Sequence, residues 1–142
     1  MPEFILDHGS PEAARKFNEL DAFTQGYIEA MFFTDASDPD DGDLANATFA
    51  ELAPAALEKI VSDCARFQAE NRADLDEALD TGRINGYDDM GAGRDFWYTR
   101  NGHGVGYFDR NLGDIGDVMD KAASKWGQVD LYRGDDELIY LG

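Results

Sequence analysis

Two histidines (His8 and His103), a single cysteine (Cys64) and thirty Asp and Glu residues are the side chains here that could do acid–base, nucleophilic or metal chemistry. Each of those chemistries needs convergence: a nucleophile beside its base, carboxylates with displaced pKa values, or a set of metal ligands. The supply is thin. His8 lies near the N-terminus and His103 in an Asn-Gly-His-Gly turn, so a two-histidine metal site would require distant segments to meet by coincidence. An HNH-type nuclease reading of Asn101-Gly102-His103 lacks the further histidines. The lone cysteine excludes an internal disulfide and a Cys-pair metal site, and its place in an apolar helical pattern makes it a buried, inert thiol. No spacing singles out a pair of carboxylates.

The densest concentration of reactive and binding side chains is RDFWYTRNGHGVGYFDR, residues 94 to 110, with five aromatics, three arginines and one histidine. Its β-rich runs, Phe96 to Arg100 and Val105 to Asp109, flank a turn with the glycine supply of a hairpin. Alternation would divide the aromatics between two faces. One face would enter the core, and the other, with Trp97, Arg100, His103 and Arg110, could form an aromatic and cationic patch; the arginines could equally pair with Asp95 and Asp109.

The elements that must position these residues can be read along the chain. Residues 3 to 7 form a short strand in this reading. Ser10-Pro11-Glu12 reads as an N-cap with proline at the first helical position, and Ala13, Ala14, Phe17 and Leu20 continue the helix. Asp21 caps a second helix with Phe23, Tyr27 and Met31 on one face. Thr48-Phe49-Ala50-Glu51 fits a capping box, and Pro54 opens a long helix to about Asp80 along Leu57, Ile60, Val61, Cys64, Phe67, Leu75 and Leu79, with Gly82 as its C-cap. Residues 82 to 93 read as a glycine-rich loop. Gly91-Ala92-Gly93 lacks the third glycine, the lysine and the strand-to-helix context of a phosphate-binding turn, so no cofactor is expected. Asp114 starts a helix through Ile115, Val118, Met119, Ala122 and Trp126, and Gln128 to Tyr132 and Glu137 to Leu141 flank a second hairpin turn.

Hairpin, helix and hairpin predict a four-stranded antiparallel sheet covered by the N-terminal helices, an α+β fold. At 142 residues the chain is one domain in this reading, mainly helical over 1–82 and hairpin, helix, hairpin over 83–142. The 43% apolar content is that of a folded protein, so the high charge belongs to the surface and not to disorder.

That surface carries 30 acids against 12 Lys and Arg, a formal charge of -18. Such a field repels nucleic-acid phosphates and anionic membranes and suits either a strongly basic partner or a salty environment. The excess of 21 Asp over 9 Glu, with four lysines, fits the salty alternative. The acidic stretch TDASDPDDGDLAN, residues 34 to 46, fails as an EF-hand: with Gly42 sixth, Pro39 falls at a ligand position and Thr48 replaces the bidentate glutamate. It reads instead as a solvated loop. No basic leader or long apolar run is present, and a cytoplasmic protein is expected.

The run AGRDFWYTRNGHGVGYFDR (Ala92 to Arg110), the later GQVDLYRGDDELIYLG and the earlier LDAFTQGYIEAMFFTD (Leu20 to Asp35) together resemble small acidic proteins encoded by bacteriophages and mobile elements. That resemblance covers most of the chain and implies a small accessory protein made in an infected bacterium. Genes of this kind often encode inhibitors of host defence, which implies an anti-CRISPR or anti-restriction role. Combined with the charge, the expectation is a nucleic-acid mimic that occupies a basic host surface. Its carboxylates would be Asp35, Asp38, Asp40, Asp41 and Asp43 in the loop and Glu58, Asp63, Glu70, Asp74, Asp76 and Glu77 on the long helix. The alternatives are a small binding module or enzyme using Trp97, Arg100, His103 and Arg110, and a structural phage protein whose acidity is a salt adaptation.

Overall fold

Residues 6–36 and 42–142 are described by a computed structural model. Among the described residues, six α-helices carry the fold: α1 (Pro11–Asn18), α2 (Ala22–Ala36), α3 (Pro54–Glu70), α4 (Arg72–Gly82), α5 (Asp89–Arg100) and α6 (Asp114–Ser124). Two short antiparallel strands follow, β1 (Leu131–Arg133) and β2 (Ile139–Leu141), with Tyr132 opposite Tyr140. The chain is thus α+β in a broad sense, mostly helical with a two-stranded sheet at its C-terminal end. Among the described residues, no helix is long and apolar enough to cross a membrane.

Several local expectations are met. The Ser10 side chain accepts from the Ala13 amide at 3.1 Å to cap α1, and Asp21 does the same for Thr24 at 2.7 Å. The capping box is present, with the Thr48 amide donating to Glu51 at 2.8 Å, but it closes a 3₁₀ turn, Phe49–Glu51, and α3 begins afresh at Pro54. The helix from Pro54 is interrupted: Asn71, at φ -121° and ψ 27°, ends α3 and begins α4. Gly82 keeps right-handed backbone angles, and the left-handed stop falls to Gly86 at φ 84°. Residues 3–5 of the predicted first strand lie outside the described residues, and Leu6 and Asp7 are not in a strand.

The largest correction concerns residues 94–110. No hairpin forms there; Asp88 accepts from the Gly91 amide at 2.9 Å and caps α5, which takes in Arg94 to Arg100 and the last five residues of the predicted glycine loop. After Arg100 the chain turns through Gly102 and Gly104, both at positive φ, into a 3₁₀ turn, Tyr107–Asp109. The four-stranded sheet is therefore absent among the described residues, and only its last hairpin exists. The sheet is anchored by the Ala53 amide donating to the Ile139 carbonyl at 2.9 Å and by a bridge from Leu52 to Ile139.

The reason lies in how α2 and α5 pack. A Cβ on Gly26 would stand 2.0 Å from the Met90 carbonyl oxygen, and one on Gly93 would stand 1.8 Å from that of Phe23. Glycine at both positions lets the two backbones touch, which no larger residue permits. Further along, Arg94 pairs with Glu29 and the Trp97 indole donates to Thr34, so the helices run in the same sense. Around them close Phe23, Tyr27, Phe67, Phe96, Trp97, Tyr107 and Met119, all fully buried, with Phe67 stacked on Phe96 at 4.1 Å. Burying an aromatic side chain contributes roughly 1.5–3 kcal/mol, so this cluster outweighs the modest β-propensity of the same residues.

Candidate functional site

Among the residues of the predicted aromatic and cationic patch, Trp97 and Arg100 face the core. Trp97 is fully buried, its Nε1–H donating to Thr34 Oγ1 at 2.8 Å. The Arg100 side chain is 3% exposed and spends its donors on four partners: Gly127 O (2.9 Å), Trp126 O (3.1 Å), Tyr27 Oη (3.2 Å) and Asp63 Oδ2 (3.3 Å). It caps the chain just past the C-terminus of α6, where the exposed carbonyls favour a cation, and its guanidinium lies 5.6 Å from the Phe96 and Trp126 ring centres. His103 is exposed, edge-on to Tyr98 at 6.2 Å. Arg110 is half-buried and bound to Asp95. The four residues therefore form no single exposed patch: α5 turns Trp97 and Arg100 into the core, and His103 and Arg110 lie beyond its end.

The acidic set divides as well. Asp63 points inward and is held between Arg100 and Lys59 Nζ, the latter at 3.1 Å. Glu70 and Asp76 form i,i+4 pairs with Arg66 and Arg72 on the surface. Asp35 accepts from the Leu131 amide at 3.2 Å; burial pushes its carboxyl pKa up, while the hydrogen bonds from Leu131 and Thr34 pull it back down. Asp43 lends its backbone carbonyl to Arg133 at 2.6 Å. Glu58, Asp74 and Glu77 make no ion pair among the described residues, and Asp38, Asp40 and Asp41 lie outside them.

Catalytic constellations are absent from the described residues in the forms the sequence raised. No group of three or more His, Cys, Asp and Glu side chains converges on a metal-sized point there. Cys64 is fully buried, and burial pushes its thiol far above the usual range, which keeps it protonated. His8 is occupied packing against the ring of Phe17 at 4.7 Å.

One polar arrangement went unread in the sequence. Asp95 is fully buried in α5, yet it receives three donors: Tyr87 Oη at 2.7 Å, and Nε and Nη2 of Arg110 at 3.0 and 2.8 Å. Burial pushes the Asp95 carboxyl up, and the hydrogen bonds from Arg110 and Tyr87 pull it back down. The Tyr87 hydroxyl is pushed well up, first by burial and then by the Asp95 charge. In front of this trio opens a cleft of about 390 Å³, lined by Tyr87, Asp88, Gly91, Arg94, Tyr98 and Arg110 among others. Gly91, Arg94 and Tyr98 follow one another at helical spacing and make one wall. Had residues 89–100 been read as a helix, Asp95 would have fallen among Ala92, Phe96 and Thr99 on its inner face, which is the signal that would have marked it.

No protein-family model matches this sequence, and neither a curated protein nor a solved structure is detectably similar to it.

Proposed function

We propose that this chain is an acidic accessory protein of the phage type that binds a basic host partner, a nucleic-acid-binding defence factor, and acts there as a nucleic-acid mimic. The observation that supports the reading is the charge left over on α3 and α4. Arg66 and Arg72 are each consumed by one neighbouring acid, and Glu58, Asp74 and Glu77 stay without an ion pair among the described residues. Carboxylates spaced along a helical surface can stand where phosphates would, and their field speeds association with a cationic surface. Asp63 drops out of this set, since it supports Arg100 from inside.

The test is affinity capture from bacterial lysate at low and high salt, with the chain and with a triple variant, Glu58→Gln, Asp74→Asn and Glu77→Gln. A basic nucleic-acid-binding protein held at low salt, released at high salt and lost with the triple variant is the expected result. Equal retention by the triple variant, or no basic protein retained at all, overturns the reading. In the salt-adaptation alternative, added salt raises the melting temperature and no partner is held.

A further inference from the structure

The geometry points to a second site, independent of the acidic surface: the cleft over Asp95 binds a small ligand through an oxyanion, a carboxylate or a phosphate monoester. Two of the chain's twelve cations, Arg94 and Arg110, line this one cleft although the protein as a whole is strongly acidic. Each is anchored on one side and open on the other. Arg110 spends Nε and Nη2 on buried Asp95, and Arg94 spends Nη2 on Glu29 at 2.9 Å. Nη1 of Arg110, and Nε and Nη1 of Arg94, have no partner among the described residues. Since no buried polar side-chain atom there lacks a hydrogen bond, those nitrogens are open to solvent.

Tyr98 stands with them. Its hydroxyl makes no hydrogen bond among the described residues and is open to solvent by the same reasoning, while the charges of Arg110, Arg94, Asp95 and Glu29 all reach it. Burial pushes the Tyr98 hydroxyl's pKa up, so it stays a donor. Two guanidinium groups and a phenol lining one cleft are the kinds of donor that recognise a planar or tetrahedral oxyanion. Gly91 also lines the cleft and puts no side chain into it.

Local charge sets the ligand's class. Glu29 and Asp95 neutralise the two arginines from behind, and Asp88, exposed at the rim, adds a negative charge while capping α5. A polyanion would be repelled by this surround, whereas a single oxyanion on a small body is held by donors at close range. About 390 Å³ falls within the roughly 300–1,000 Å³ of small-molecule sites.

The experiment is an amide NMR titration of the whole chain at low ionic strength with two probes, inorganic phosphate and benzoate, repeated on Arg94→Gln and Tyr98→Phe. Neither substitution removes a partner of buried Asp95, as Arg110→Gln would, so both variants are expected to fold. Saturable shifts at Gly91, Arg94, Tyr98 and Arg110, weakened about tenfold by Arg94→Gln and severalfold by Tyr98→Phe, are expected. Saturation by phosphate alone identifies a phosphate monoester as the natural group, and saturation by benzoate alone a carboxylate. Shifts that grow linearly without saturating, lie elsewhere, or survive Arg94→Gln unchanged overturn the proposal.

Discussion

The carbonyl oxygen of Phe23 occupies the space in which Gly93 would carry a side chain: a Cβ there would stand 1.8 Å away. On the facing helix, Gly26 meets the Met90 carbonyl in the same way at 2.0 Å. The central pair of helices is built on this mutual contact, and both partners are backbone, which cannot swing aside.

Gly93→Ala and Gly26→Ala must therefore push α2 and α5 apart, and each is expected to cost about 3 kcal/mol or more, at or above the upper end of ordinary overpacking. Gly91→Ala, two residues from Gly93, has the opposite sign. A Cβ on Gly91 meets only Asp88 and the Tyr87 ring at 3.4 Å, an ordinary contact, so the gain in helix propensity should stabilise by up to about 1 kcal/mol. Urea unfolding of the three variants checks both signs, and equal effects at Gly91 and Gly93 would contradict the close crossing.

The pair of Arg100 and Asp63 is almost sealed from water, with 3% and 8% of the side chains exposed. Arg100→Met strips a donor from Tyr27, Trp126 and Gly127 as well as from Asp63, and should cost about 3–5 kcal/mol. Asp63→Asn leaves Arg100 its two carbonyls and Tyr27, and should cost less, about 1–3 kcal/mol. Thermal unfolding ranks them; a larger loss at Asp63 would show that the ion pair, and not the carbonyl capping, holds this corner together.

Asp95 makes stability depend on pH in a direction unusual for a carboxylate. Its folded-state pKa lies above the unfolded value of 3.8, chiefly because it is buried, so the folded chain holds a proton that the unfolded chain releases. Stability from this group is fully present below pH 3.8 and is lost as pH rises through the folded-state value. Melting temperatures measured from neutral pH down toward pH 4 should rise less steeply in Asp95→Asn than in the unchanged chain. Identical slopes would mean that Arg110 and Tyr87 offset the burial completely.

The acidic surface and the cleft are built from separate helices. Glu58, Asp74 and Glu77 are on α3 and α4, and Arg94 and Tyr98 are on α5, so a variant at either place leaves the other intact.

Much of the fold was legible along the chain, for local reasons. Ser10 and Asp21 announce helix starts because a side-chain oxygen must satisfy the first free amides, and the stripe from Ile60 to Phe67 or from Ile115 to Met119 appears because one helix face meets the core while the other meets water. The last hairpin was legible from its turn. Residues 94–110 were not, because α5 is enclosed on nearly every side: Ala92, Gly93, Asp95, Phe96, Trp97, Thr99 and Arg100 are all buried, which erases the polar and apolar alternation that marks a surface helix. Gly93, which reads as a turn residue, serves a helix crossing that exists only once α2 is in place. The same holds for the site. That the chain is strongly acidic follows from composition alone, since charge is additive. Which acid faces inward, as Asp63 and Asp95 do, and which arginines stay open to a ligand, as Arg94 and Arg110 do, was decided only by tertiary packing, because burial is a property of neighbours that the order of residues does not state.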